Sequence, residues 1–92
     1  LFQLNRGKEF NKGWIIFGNG AHDHLPDRSC DVKLTIGANT SAETCRFTHS
    51  GNNRKINGGQ KLIRWISELK EDDKVFVEIM NKREFKVYSS ND

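Results

Sequence analysis

No run of about 18 consecutive apolar residues occurs anywhere in this 92-residue chain, so no membrane-spanning helix is expected. A secretory leader pattern is missing too, which leads us to expect a cytoplasmic protein with no membrane partner. Proline occurs once, as Pro26, and methionine once, as Met80. A chain that opens on Leu1 and has only an internal methionine reads as a piece of a longer protein. Cysteine is scarce: Cys30 and Cys45 have no second pair, and reduced thiols in or near strands are expected over a lone disulfide. The phosphate-cradling glycine motif and the nucleophile elbow are both lacking. His22 and His24, with Asp23 or Cys30, fall short of the ligand count of a closed zinc site. No cofactor, metal or small-molecule substrate is expected, and the chain does not read as an enzyme by itself.

The most informative scarcity is local. From Thr44 to Ser67 there is no Asp or Glu, whereas Arg46, Arg54, Lys55, Lys61 and Arg64 are all present. The formal charge of +3 for the whole chain is therefore concentrated in one segment. Inside it, His49-Ser50-Gly51-Asn52-Asn53-Arg54-Lys55 is rich in hydrogen-bonding groups and nearly free of apolar ones. Cations neutralise phosphates, and amide or guanidinium groups bond base edges, so such a stretch suits nucleic acid. An ordinary solvated loop is the plainer reading of the same residues.

The chain otherwise alternates short apolar runs with turns. Leu1 to Leu4 reads as a first strand, followed by a polar arm from Asn5 to Gly13 with Phe10 turned inward. Trp14 to Phe17 is a continuous apolar run of strand length. A single helical turn near residues 21–25 is open to the segment before Pro26. Asp31 to Ile36 alternates, Gly37 to Ser41 reads as a hairpin loop, and Glu43 to Thr48 returns with Cys45 and Phe47 inward. A short strand through Arg54-Lys55-Ile56 follows the polar loop. Residues 60–69 form the one clear helix, with Leu62, Trp65, Ile66 and Leu69 on one face. Lys70 to Asp73 reads as a solvated turn. Lys74 to Met80 and Glu84 to Tyr88 close the domain as strands, and the last four residues read as a frayed end or linker. The expectation is a single, mainly β domain: an open pseudobarrel of about seven strands sharing a core of Leu34, Phe47, Leu62, Trp65, Ile66, Val77 and Val87.

The order of these features resembles the plant-type B-three DNA-binding family. The resemblance is carried by Cys45-Arg46-Phe47-Thr48-His49, the polar loop, Gly58-Gly59, the helix with its aromatic, Leu69, the acidic turn and Val75-Phe76-Val77. Upstream, Trp14 to Phe17 and His24-Leu25-Pro26 are similar to that family's second strand and the short helix behind it. The compact size, and Cys45 where the plant proteins have Trp, make the chain more similar to the bacterial branch. There the pseudobarrel is the DNA-recognition domain of certain restriction endonucleases. The resemblance implies two arms gripping the major groove, at Arg6–Lys12 and His49–Lys55. It also implies double-stranded DNA as partner and a separate nuclease domain in the parent chain.

Within the arms, Arg6, Lys8, Lys12, Arg54 and Lys55 suit phosphates or guanine, Arg best for the bidentate contact. Asn11, Asn52 and Asn53 match adenine N6/N7, although Asn also favours turns for its own reasons. His49 and Ser50 are further candidate contacts, and Lys61 suits a backbone phosphate. The rivals are an oligonucleotide-binding barrel for single strands, which needs exposed aromatics such as Phe76 and Tyr88, and a protein-interaction module. A metal-dependent nuclease through His22 and His24 ranks last.

Overall fold

The computed structural model describes residues 2–38 and 41–90. Seven strands form one sheet: β1 (Phe2–Leu4), β2 (Trp14–Ile16), β3 (Cys30–Ile36), β4 (Glu43–Ser50), β5 (Asn53–Asn57), β6 (Val75–Asn81) and β7 (Glu84–Ser89). Their spatial order is β1-β6-β7-β3-β4-β5-β2. All neighbours are antiparallel except β3 and β7, which run parallel with Leu34 opposite Phe85. The sheet curls into an open pseudobarrel whose two free edges are β1 and β2, each three residues long.

The alternation read from sequence accounts for the interior. Val32, Leu34, Ile36, Phe47, Ile56, Val75, Val77, Phe85 and Val87 are buried on the inner face, and Phe17 meets Phe85 at a ring separation of 5.8 Å. Helix α2 (Gly59–Ser67) adds buried Leu62 and Ile66. Of the expected core set, Trp65 alone is only half-buried. Its ring lies over Gly37, where φ is +61° and a side-chain carbon would sit 2.5 Å from Trp65 Nε1. That glycine is required both by its backbone and by the ring above it.

Several boundaries differ from expectation. The expected helix over 60–69 spans Gly59–Ser67, and half-buried Leu69 packs on the core from beyond its end. The arm before Gly13 contains a short helix not anticipated, α1 (Lys8–Asn11), which turns Phe10 inward. Four residues with one apolar side chain carry no periodicity to read. The turn sought near 21–25 is a 3-10 helix, Asn19–His24. His49–Lys55 is not a loop: β4 runs on to Ser50 and β5 starts at Asn53, leaving Gly51 and Asn52 as the turn. The turn at residues 70–73 is not simply solvated either. Asp73 is buried and its Oδ2 accepts a hydrogen bond from Lys70 N at 2.8 Å. Nor is the carboxyl-terminal end frayed as far as it is described: Ser89 is buried, and Ser90 N donates to Lys74 O at 2.8 Å. Leu1, residues 39–40 of the expected hairpin loop, and residues 91–92 lie outside the described residues. No helix among the described residues is long and apolar enough to cross a membrane.

Candidate nucleic-acid interface

The β4–β5 hairpin outruns the barrel it grows from. Its last buried cross-strand pair is Phe47 with Ile56. Beyond that pair the strands continue as a ribbon through Thr48–Lys55 and His49–Arg54. These pairs are flanked by Ile16 opposite Lys55, by Phe17 N donating to Arg54 O at 2.9 Å and by Ser29 beside His49, so that the Ser50–Asn53 pair and its turn are what projects. Gly51 has φ +58°, the backbone that a two-residue hairpin turn with glycine first demands. Backbone pairing, not burial, keeps this polar stretch extended.

Strand parity sorts the ribbon's side chains. Thr44, Arg46, Thr48 and Ser50 on β4, with Asn53, Lys55 and Asn57 on β5, alternate with buried Cys45, Phe47 and Ile56. These outward positions hold no carboxylate. Arg46 meets Asp31 of β3 at 3.4 Å, but both side chains are well exposed, and such a pair is weak. On β2, Trp14 and Ile16 share the outward parity, opposite Asn57 and Lys55. Lys55 Nζ sits 4.3 Å from the centroid of the Trp14 ring, a cation–π contact.

Two ribbon residues are held by the protein itself. Arg54 Nη1 donates to Gly51 O at 2.5 Å and to Asn53 O at 3.1 Å, folding the side chain over its own turn. These bonds draw on one nitrogen of a fork with five donors. His49 is half-buried: its backbone N–H donates to Ser29 Oγ at 2.9 Å, and its Nδ1 lies 3.3 Å from Pro26 O. His49 thus braces the base of the ribbon against the segment leading into β3. Ser50, Asn52 and Asn53 are exposed at the tip.

The second polar element stands at the other end of the β2–β5 ladder. Lys8, Asn11 and Lys12 are exposed on and just after α1. Gly13, at φ +90°, then leads into β2, and Gly13 O accepts from Gly58 N at 2.8 Å. The start of α2 thereby stitches this arm in place. Arg6, expected among the arm's cations, points elsewhere. Its Nη1 donates to Lys70 O, Glu71 O and, at 2.8 Å, Asp73 O. Lys61 is exposed beside the ladder and bonded to Glu43.

Sequence reasoning missed the cleft where the sheet fails to close. Between β1 and β2 lies a cavity of about 520 Å³ lined by Phe2, Leu4, Phe10, Trp14, Ile16 and Phe17 among others. A run apolar on both faces reads as a fully buried strand, whereas here one face of β2 borders this opening. Elsewhere, Phe76 and Tyr88 pair across β6 and β7 at 5.8 Å, with Lys86 Nζ 5.7 Å from the Tyr88 ring. Exposed large apolar side chains among the described residues are Ile16 and Met80.

Both cysteines are free. Burial, with a smaller push from the Glu43 carboxylate, raises the Cys45 thiol above its ordinary value of 9.0. Among the described residues no three His, Cys, Asp or Glu side chains gather as metal ligands. Set against family models, curated proteins and solved structures, the chain matches none of them.

Proposed function

We propose that this domain reads the sequence of double-stranded DNA, serving as the target-recognition part of a bacterial restriction endonuclease. Cleavage would belong to a separate nuclease domain of the parent chain. The observation that carries the reading is the exposed tip of the β4–β5 hairpin, where Ser50, Asn52 and Asn53 stand next to Arg54 and Lys55 and the outward face holds no carboxylate. The major groove, about 12 Å wide, admits a two-stranded β-ribbon. Asn52, Asn53 and Arg54 supply the amide and guanidinium groups that distinguish base pairs there.

The α1 arm stands on the order of 20 Å from the ribbon tip, at about 3.3 Å per residue along β5. Lys8, Asn11 and Lys12 on it, and Lys61 beside the ladder, suit phosphates flanking the groove. Arg6 and His49 support the two arms from behind. Selection of bound sequences from randomised duplexes, read by gel shift, tests the proposal. Enrichment of one motif is the expected result, and recovery of random sequence would overturn it.

A single-strand reading has one observation in its favour, the outward Phe76–Tyr88 pair with Lys86 beside it, since stacked bases need such a platform. Under that reading Tyr88→Ala weakens single-strand binding, whereas duplex recognition through the ribbon leaves it unaffected.

A further inference from the structure

The cleft between β1 and β2 shares Lys8 with the α1 arm and otherwise takes no part in the duplex contacts assigned to the two arms. Its volume of about 520 Å³ lies within the range of small-molecule sites, which are mostly apolar with a few placed polar groups. Leu4, Phe10, Phe17 and Ala21, each nearly inaccessible to solvent, form its interior, and Trp14 and Phe2 supply aromatic walls. The polar side chains bordering it are the amides of Gln3 and Asn5, the carboxylate of Glu9 and the ammonium of Lys8. That mixture offers donors and acceptors in roughly equal measure with no net charge. It suits the edge of a neutral heteroaromatic ring better than an anion or a lipid chain. A cation stands next to the aromatic wall, because Lys55 lies on the same Trp14 ring. The cleft is walled by β1, the α1 arm, β2 and the start of the 3-10 helix.

We infer that this cleft receives one unpaired nucleobase, with its ring against Trp14 and its edge on Gln3, Asn5 and Glu9. Lys55 is placed for the phosphate that accompanies a base in a strand. Taken from a DNA strand, the base deepens the proposed duplex reading and rests on it; taken from a free nucleoside, it does not. Extruding a base costs least where it is mismatched or unpaired. A duplex carrying a single-nucleotide bulge should therefore bind more tightly than its fully paired parent, by about tenfold.

The test uses the selected duplex, the same duplex with one bulged nucleotide, and the four free nucleosides. Affinity is read by filter binding. Quenching of Trp14 emission is followed in a Trp65→Phe background, and in the unaltered protein should that variant fold poorly. The expected result is quenching by the bulged duplex and a preference for it that disappears in Ala21→Leu, which fills the cleft. Ile16→Phe, which narrows the mouth from an exposed strand position, should do the same while binding to the paired duplex stays unchanged. Quenching by nucleosides without any preference for the bulge upholds the base and overturns the strand as its source. Binding of paired and bulged duplexes alike, with no quenching by any ligand, overturns the inference and leaves duplex recognition standing. Quenching by nucleosides with no duplex bound overturns duplex recognition alone.

Discussion

Single residues in this domain divide between those that hold the arms and those free to act from them. Arg6 belongs to the first group, because three carbonyls of the 70–73 turn share its Nη1. Arg6→Ala should lower unfolding stability by about 1–3 kcal/mol, measured by urea titration, from the loss of charge-assisted bonds. The salt dependence of DNA binding should stay as it was. Arg54 belongs partly to each: one nitrogen closes its own turn, and the other donors of its fork are left to act. Arg54→Ala should cost about 1–3 kcal/mol on the selected duplex and much less on random DNA, because a base contact counts only on the right base. Since Arg54 also closes its own turn, Arg54→Lys is the necessary companion. It keeps the charge but loses the fork, and should lose specificity nearly as far; an equal loss on both DNAs for either variant would remove Arg54 from base reading. Cys45 gives a pH prediction. Its thiol is held neutral in the folded state, so the unfolded chain releases that proton at lower pH. The stabilisation is intact below the unfolded value near 9.0 and declines as pH rises towards the folded one. Denaturant midpoints taken between pH 8 and 10 should fall, and less steeply in Cys45→Ala.

At the scale of elements, the strands of the barrel were legible and the arms only in part. Val32, Leu34 and Ile36, or Val75 and Val77, alternate because one face of each strand is buried, and burial is what a period of two records. The hairpin beyond Phe47 and Ile56 has no fully buried side chain, so its polarity passes for a loop. The readable signal was Gly51-Asn52, a two-residue hairpin turn dipeptide. Helix α1 left no trace because one turn cannot show a repeat, and buried Asp73 cannot be told from its exposed neighbour Asp72. Within the candidate site, the cations and amides were visible as types, but not that Arg6 and His49 turn back onto the protein. The partition of elements makes its own prediction. Under the proposed reading, Lys12 on the α1 arm and Lys61 beside the ladder sit where phosphates would flank the groove. Lys12→Ala and Lys61→Ala should each weaken selected and random duplexes alike and reduce the salt slope by about one. Stability should change by under about 1 kcal/mol even though Lys61→Ala breaks the exposed pair with Glu43. A change in base preference in either variant would show that these cations read sequence.

For the whole molecule, under the proposed reading, charge placement decides which form of DNA is preferred. The cations assigned to binding project on two arms at opposite ends of one ladder, a geometry that matches a duplex better than a flexible strand. With about six phosphates neutralised, log affinity should fall against log salt with a slope near −5. Duplex should compete better than single strands of the same sequence. A flat salt response, or tighter binding to single strands, would favour the aromatic face of β6 and β7.

The parallel pairing of β3 with β7 has a consequence in time as well as in shape. Among the described residues, strand β7 is the hydrogen-bonded link between the ladder β1-β6 and the ladder β3-β4-β5-β2. Both hairpins of the second ladder are local in sequence and can zip as soon as they are made. The barrel cannot join its halves until Glu84–Ser89 arrives and settles beside Cys30–Ile36. Closure therefore waits on a contact between distant parts of the chain, which places folding on the slower, millisecond-to-second side for a domain of this size. During that wait the β4–β5 hairpin is already paired while the surface that carries it is not. If the proposed reading holds, a newly made chain would thus present its basic tip to nucleic acid before it has a rigid body with which to discriminate.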